Sequence, residues 1–234
     1  MFMSTSKNAL AILSKYPKPG HAKTRLSEAV GKTVASRIAE LFLVDLLRRV
    51  MPMREIRIVL VGSASDKEKD FKKLLAKHHL DAKDLEIFIP RAGSLLEDIT
   101  ATYTYLLKGS RKVVVTGSDI PYISRQMIRT LFKTLDEYDL VFHPNPDGTV
   151  LPHGMKKPTD LFTGLNTRSP IFFVNWFLRV KSVNLSYKML EPLFDIDMPQ
   201  ELYAFYGWQL CLEDTHEEAM ICPATLAFLR SLLK

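Results

Sequence analysis

A loop of basic residues follows the first apolar run of the chain. The stretch SKYPKPGHAKTRL, residues 14–26, is not a P-loop, because the two glycine positions of that motif hold Pro17 and Ala22. Its cations can still neutralise a di- or triphosphate through their charge and through nearby N–H groups. A solvated basic loop is the alternative. The cations are Lys15, Lys18, Lys23 and Arg25, and the flexible turn falls at Gly20.

A carboxylate follows another apolar run. In VVVTGSDIP, residues 113–121, Asp119 comes just after a predicted buried strand. Mg²⁺ and Mn²⁺ take oxygen ligands and are typically held by one or two carboxylates together with substrate phosphates. The pattern therefore suits a metal ligand, and the alternative is a capping or turn aspartate.

Two further carboxylates lie in FDIDMPQEL, residues 194–202. Asp195 and Asp197 are two positions apart, so on an extended segment their side chains share a face. Either could complete a two-carboxylate metal site with Asp119. The segment also reads as a helix start with Pro199 in the first turn, and capping is the alternative role. Both roles can hold, one for each aspartate.

A turn signal, NPDGT, spans residues 145–149. By itself it predicts a turn at Asp147 and Gly148.

Alternating strands and helices must position these residues. The strands are predicted as continuous apolar runs, as in sheets buried on both faces, and amphipathic helices lie between them. The alternation predicts an α/β fold, with a mostly parallel sheet flanked by helices, and binding loops at the C-terminal ends of the strands. The predicted strands are 8–13, 56–62, 85–90, 112–117 and 139–144, and the intervening helices 32–51, 66–78, 94–107 and 124–136.

The C-terminal third is less regular. The stretch NPDGTVLPHGMKKP is rich in turn formers. Helices are predicted near 169–181, 199–208 and 223–233, with an extended stretch, YKMLEPLFDID, before the second of them. No linker rich in Pro, Gly or Ser divides the chain, so we expect one domain over residues 1–234. The apolar segment SPIFFVNWF could cover a homodimer interface as easily as a core.

Composition narrows the class of protein. Of 234 residues, 47% are hydrophobic and 25% are charged, which is a normal globular balance. The net charge of +6 is spread along the chain, which argues against a nucleic-acid partner. No apolar run approaches a membrane span, and residues 9–13 are too short for a signal peptide core. Cys211 and Cys222 belong to no metal or disulfide pattern, so we expect two buried thiols in a cytoplasmic protein.

Taken in order, the motifs resemble those of a known superfamily. P-K-P-G-x-x-K-T-R-L after the first strand, then G-S-D-I-P, P-x-x-D-G and D-I-D-x-P-x-x-L, is similar to the nucleotide-diphospho-sugar transferases. More narrowly, it resembles an uncharacterised bacterial and archaeal family with a GT-A-like fold, often labelled glycosyltransferases. This family is related to the guanylyltransferases of 2-phospho-L-lactate and of molybdenum cofactor. The resemblance runs from about residue 8 to residue 203.

The resemblance implies a Rossmann-like GT-A fold and a metal-dependent transferase. The donor would be a nucleotide sugar or an NTP, and the acceptor a small molecule. Asp119 and Lys23 would be catalytic, and Asp119 would hold Mg²⁺ or Mn²⁺ with Asp197 or Asp195. Asp147 and Gly148 would bind substrate. The nucleotide would be bound by Lys15, Pro19, Gly20, Lys23, Thr24, Arg25 and Ser118.

Two departures from the family pattern suggest an alternative. The family usually continues D-G-G-Y-x-L-x-G where this chain has DGTVLPHG. It also has G-D-L-G-x-R where this chain has GSLLEDI, residues 93–99. The alternative is a non-catalytic relative that binds a nucleotide and has lost part of the acceptor site.

Overall fold

Seven strands form one sheet in the computed structural model, which describes residues 7–91 and 93–232. The apolar runs carry buried side chains on both faces, as expected for strands covered by helices on two sides. The strands are β1 (Asn8–Leu13), β2 (Ile56–Val61), β3 (Glu86–Phe88), β4 (Val113–Gly117), β5 (Leu140–Pro144), β6 (Val150–Met155) and β7 (Tyr187–Met189).

The order of the strands across the sheet is β3-β2-β1-β4-β6-β5-β7. β6 alone among them runs antiparallel to its neighbours, β4 and β5. From β1 the chain passes to β2 on one side, whereas from β4 it passes to β5 on the other side. The strand order thus reverses between β1 and β4, and open α/β sheets bind ligands in the crevice at such a reversal.

Eight α-helices of the described residues accompany the sheet. α5 has an N-cap, since the Ser124 hydroxyl accepts a hydrogen bond from the Met127 N–H at 3.1 Å. None of the described helices is both long and apolar enough to cross a bilayer. The helices are α1 (Ser27–Val30), α2 (Lys32–Val50), α3 (Glu68–Lys77), α4 (Leu95–Leu106), α5 (Arg125–Glu137), α6 (Phe172–Ser182), α7 (Pro199–Asp214) and α8 (Pro223–Leu232).

The sheet separates two apolar cores. On one face, Leu10 and Ile12 of β1 pack with residues of α2, α3, α5, α7 and α8. On the other face, Ala9 and Ala11 pack with residues of α4 and α6. The alternation along β1 assigns its side chains to the two cores in turn, so this central strand is fixed from both sides.

The five predicted strands and the three helices predicted after Pro144 are confirmed, and the sequence interpretation of this region was wrong only in missing the strand that follows Pro144. The stretch rich in turn formers contains β6, even though Pro152 and Gly154 lie within it. Pairing with β4 and β5 on both sides outweighs the weak strand propensity of these residues. The expectation of two buried thiols was also wrong, because Cys211 is exposed on α7 whereas Cys222 is buried.

Candidate functional site

The basic loop, residues 14–26, is anchored to the ends of β1, β2 and β4. The Ser14 N–H donates to the Val61 carbonyl at 2.9 Å, and the Ser118 N–H donates to the Leu13 carbonyl at 2.9 Å. The hydroxyls of Ser118 and Ser14 are 3.1 Å apart. Ser118, predicted to bind nucleotide, thus lies where the loops after β1 and β4 meet.

Asp66, in the loop after β2, holds the basic loop from outside. Its carboxylate accepts the Tyr16 N–H at 3.1 Å and lies 2.9 Å from His21 Nε2. It also accepts the N–H and the hydroxyl of Ser63, at 2.9 and 2.8 Å. Burial alone would raise the pKa of Asp66, but these hydrogen bonds outweigh it and lower the pKa. The charged Asp66 side chain therefore fixes the conformation of the basic loop through these hydrogen bonds.

Lys23 points from the basic loop into the protein. Its backbone has φ 51°, an uncommon left-handed conformation for a residue with a side chain. The ammonium group is 2.6 Å from an Asp197 carboxylate oxygen and lies over the Phe42 ring, 5.7 Å from the centroid. Its side chain is only 7% exposed. Gly20 supplies the preceding turn with φ 77°, as the sequence predicts.

Three carboxylates converge beside Lys23. Asp119, Asp195 and Asp197 each offer one oxygen, and these three oxygens all lie within 4.8 Å of one another. We call these residues the carboxylate cluster. A Cβ atom on Gly117 would lie 1.9 Å from Asp119 Oδ1, so the glycine leaves room for the Asp119 side chain to fold back over the end of β4.

Hydrogen bonds hold the segment of Asp119 against the segment of Asp195 and Asp197. The Ile196 N–H donates to the Asp119 carbonyl at 3.0 Å, which joins the two segments directly. The Tyr122 hydroxyl donates to the Phe194 carbonyl at 2.7 Å and accepts the Phe194 N–H at 2.9 Å. Glu201 accepts the Asp197 N–H at 2.7 Å. Side chains outside the cluster therefore fix its geometry.

The charges of the cluster are only partly compensated. Burial raises the pKa of Asp195 to about 7, with repulsion from Asp119, Asp147 and Asp197 adding to the shift. Burial and the Asp197 charge raise the pKa of Asp119, although Lys23 opposes them. The pKa of Asp197 is lowered, because Lys23 and Arg25 outweigh its burial. Lys23 lies against Asp197 and, among the described residues, the exposed Arg25 reaches only the same carboxylate. Asp119 and Asp195 therefore leave the site able to take more positive charge.

Burial alone would lower the pKa of Lys23. The charges of Asp119 and Asp197, with the hydrogen bond to Asp197, outweigh that effect and raise the pKa. Lys23 therefore stays protonated as the internal counter-ion of the cluster.

The donor set fits a hard divalent cation. Mg²⁺ and Mn²⁺ select carboxylate oxygens, and oxygens on opposite sides of Mg²⁺ lie about 4.2 Å apart. The three oxygens of the cluster lie within 4.8 Å of one another, so they are close enough to share one such ion. Since the carboxylates carry more charge than Lys23 neutralises, a bound cation would also relieve their repulsion.

The other residues of the basic loop that were predicted to bind nucleotide are exposed to solvent. Lys15, Pro19 and Thr24 are exposed. Arg25 is also exposed, and its guanidinium is 3.9 Å from Asp197. The charge of Lys15 contributes to the low pKa of Asp197, so Lys15 also faces the cluster electrostatically. These groups are free to meet a ligand from solvent.

Asp147 and Gly148 form the turn between β5 and β6. The Thr149 N–H and hydroxyl donate to Asp147 Oδ1 at 2.8 and 2.7 Å, and Gly148 has φ 85°. The turn predicted from the sequence is thus present. The Asp147 charge also raises the pKa values of Asp119 and Asp195, so this turn borders the carboxylate cluster.

Sequence reasoning missed the residues that support the site, namely Asp66, His21, Tyr122 and Glu201. An aspartate after the second strand is a weak signal, because strand-end loops commonly contain one. Glu201 could have been found as the acid in the first turn of the helix that Pro199 starts.

The departure GSLLEDI has a structural role. The Ser94 hydroxyl accepts the Glu97 N–H at 3.3 Å, and Glu97 accepts the Ser94 N–H at 3.1 Å. This reciprocal capping box starts α4.

The fold is an α/β sheet covered by helices, with acidic and basic groups at its strand reversal. The family described as an uncharacterized protein conserved in bacteria, DUF2064, matches residues 46–168, which is just over half of the chain. The chain belongs to this family. No curated protein matches it.

Solved structures share the fold. One, from Desulfovibrio desulfuricans G20, is provisionally described as a nucleotide-diphospho-sugar transferase. It is 22% identical with a TM-score of 0.81, over 97% of this chain and 95% of that chain. The 4-diphosphocytidyl-2C-methyl-D-erythritol synthase of Anaerococcus prevotii DSM 20548 is 14% identical with a TM-score of 0.54, over 87% and 99%. The inositol-1-phosphate CTP transferase of T. maritima is 12% identical with a TM-score of 0.53, over 86% and 93%. These likenesses confirm the fold that the motifs imply.

Proposed function

We propose that this protein is a nucleotide-dependent transferase that works with Mg²⁺ or Mn²⁺. One observation carries the proposal: a buried lysine and three carboxylates meet where the strand order reverses. Asp119, Asp195 and Asp197 would hold the cation. The bound cation would supply positive charge against the charge that develops on a leaving phosphate.

The basic loop would bind the phosphates of the donor. Lys23 lies against the carboxylate cluster, while Arg25, 3.9 Å from Asp197, and Lys15 are exposed to solvent. A donor phosphate between them would be neutralised from two sides. Asp66 keeps the loop in place, so little reorganisation is needed when the donor binds.

Two reactions share these electrostatics. With an NTP, a phosphorylated acceptor attacks the α-phosphorus and pyrophosphate leaves. With a nucleotide sugar, an acceptor attacks the anomeric carbon and a nucleoside diphosphate leaves. In both reactions negative charge grows on a leaving phosphate, which Lys23 and Arg25 would stabilise. The names of the structural neighbours include a nucleotide-sugar transferase and CTP-dependent enzymes, so both donors belong in the test.

Thermal shift with a donor panel tests the proposal. Four NTPs and their nucleotide sugars are each added with Mn²⁺, with Mg²⁺ or with EDTA. The true donor at about 100 times its Kd should stabilise the fold by about 2.7 kcal/mol, and only when the metal is present. Asp119→Asn should abolish the shift, whereas Asp214→Asn, an exposed substitution at the end of α7, should not. A panel in which no donor shifts the transition would contradict the proposal.

A second candidate is a nucleotide-binding relative without turnover. It is favoured by the Asp147 turn, where both Thr149 donors already occupy Asp147 Oδ1. That oxygen is then less available to an acceptor. This candidate predicts metal-dependent donor binding with neither donor hydrolysis nor transfer. Turnover that disappears in Asp119→Asn, with the fold intact, would rule it out.

A further inference from the structure

α6 leaves an apolar stripe uncovered. One side of the helix is buried, through Phe172, Trp176 and Val180. The other side exposes three aliphatic residues, Ile171 just before the helix and Val174 and Leu178 within it, at 54%, 56% and 61%. Single exposed apolar side chains are ordinary, but a group of them marks an interaction site.

The stripe continues onto neighbouring residues. Phe177 of α6 packs edge-on against Tyr187 of β7, with ring centroids 5.2 Å apart. Met189 lies two residues further along β7, so it shares the strand face of Tyr187 and is 55% exposed. Val183, directly after α6, is 40% exposed. We call these five exposed residues, Ile171, Val174, Leu178, Val183 and Met189, the α6 face. They make up half of the ten large exposed hydrophobic residues found in the described part of the chain.

Basic residues lie in and beside the α6 face. Residues 161–190 contain no aspartate or glutamate, although the whole chain has 26. The same segment contains four basic residues, at positions 168, 179, 181 and 188, and the exposed acids Asp160 and Glu191 lie at its two ends. Lys181 is exposed at the end of α6, and Arg168 is exposed just before the helix. Pairing two copies of this face would bring like charges together, which disfavours a second copy as its occupant.

We infer that the α6 face docks onto an anionic lipid surface. Aliphatic side chains can enter the boundary between headgroups and acyl chains, while lysine and arginine beside them meet the lipid charge. An apolar stripe with basic residues and no acid in its segment has the chemistry for both contacts. Binding would be peripheral, and this inference does not depend on the proposed transferase activity.

Vesicle flotation tests the inference with the full chain. Wild type should float with vesicles of phosphatidylcholine and phosphatidylserine (3:1) at low salt. It should float much less with pure phosphatidylcholine or at high salt, since salt screens the lipid charge. Val174→Gln/Leu178→Gln should lower the partition coefficient about tenfold or more, and Arg168→Gln/Lys181→Gln about tenfold.

Matched controls separate this face from general surface properties. Tyr203→Gln removes an exposed apolar side chain of α7, which packs on the opposite side of the sheet. Lys69→Gln/Lys133→Gln removes two exposed charges from α3 and α5, on that same side. Neither control should change partitioning more than twofold.

Three results would overturn the inference. The first is wild type that does not float with anionic vesicles at low salt. The second is equal loss of flotation in the control charge variant, which would make the net charge responsible. The third is a concentration-dependent dimer in sedimentation velocity that Val174→Gln/Leu178→Gln dissociates, without vesicle binding. That result would assign the face to a second copy of this chain.

Discussion

Lys23 acts as an internal cation in the free protein. It lies 2.6 Å from a carboxylate oxygen of Asp197, a residue that would also bind a metal ion. Lysine and metal therefore compete for the same negative charge unless a donor phosphate draws Lys23 away. Because of this competition, replacing Lys23 should change the affinity for metal, which replacing a purely structural residue would not do.

Lys23→Gln should separate metal binding from donor binding. Without donor, we expect Mn²⁺ to bind about tenfold tighter or more, because the competing ammonium group is gone. With metal present, donor affinity should fall by at least tenfold, since a charge-assisted contact is lost. Isothermal titration of Mn²⁺ and of donor measures both. Lys18→Gln, an exposed change in the same loop, should leave Mn²⁺ affinity unchanged. Equal Mn²⁺ affinity in wild type and Lys23→Gln would refute the competition.

The Asp195 carboxyl makes stability depend on pH. Its pKa rises from an ordinary value of 3.8 to about 7 on folding. Between these values the folded state binds more protons than the unfolded state, so this residue lowers stability as pH rises from about 4 to about 7. Asp195→Asn should therefore stabilise the metal-free protein at pH 8, by about 1–3 kcal/mol, and change little at pH 4.

Urea denaturation at the two pH values, with EDTA present, measures this effect. Saturating Mn²⁺ should reverse the order at pH 8, because only wild type keeps all three carboxylates for the ion. A variant that is equally stabilised at pH 4 and pH 8 would show that ionisation of the buried Asp195 is not the cause.

At the scale of elements, the position of Asp119 after β4 depends on Gly117, which has no side chain. A Cβ on Gly117 would lie 1.9 Å from Asp119 Oδ1 and 2.9 Å from Asp119 Cγ. Gly117→Ala should force Asp119 out of the carboxylate cluster. We expect Mn²⁺ affinity to fall at least tenfold, with less effect on the sheet, which isothermal titration and circular dichroism can check.

Gly207→Ala is the matched control. Gly207 lies within α7, and a Cβ there would meet nothing within 4 Å. This substitution should stabilise the protein by about 0.5–1 kcal/mol, because alanine favours the helix, and leave Mn²⁺ affinity unchanged. If both variants bound Mn²⁺ like wild type, the close approach at Gly117 would have no role in the site.

The elements were predictable where one local signal dominated. β1 and β4 are continuous apolar runs, and their bounds follow from the sequence within one residue. β6 was not predictable, because its Pro152 and Gly154 indicate a turn and only the pairing on both sides makes it a strand.

The carboxylate cluster was predictable because each aspartate follows a recognisable segment. The support by Asp66 was not, since it depends on contacts with Tyr16 and His21, about 50 residues away in the chain. Sequence patterns within a short segment cannot show which distant residues will contact each other, because that depends on the order of the strands in the sheet.

At the scale of the whole molecule, Asp45 joins α2 to α8, which are far apart in the sequence. This buried carboxylate of α2 accepts the Ala224 and Thr225 N–H groups at 3.0 and 2.8 Å, and the Thr225 hydroxyl at 2.8 Å. These N–H groups belong to the first turn of α8, where helix donors lack partners within the helix. Asp45 thus caps α8 from another helix.

Asp45→Ala should lower the free energy of unfolding by about 2–4 kcal/mol, since three donors, two of them buried, lose their acceptor. Urea denaturation measures the change. Asp214→Ala, an exposed change at the end of α7, should stay within about 0.5 kcal/mol of wild type. A loss below about 1 kcal/mol in Asp45→Ala would mean that water replaces the cap.

The pairing of Lys23 with Asp197 spans 174 residues of sequence. Contacts so distant form late when a chain folds, because the intervening segments must first be arranged at the cost of their entropy. The sheet from β1 to β4 can assemble before the segment that contains Asp195 and Asp197 docks onto it. Cation binding would then appear only late in folding, and it would report that the segment of Asp195 and Asp197 has docked onto the sheet.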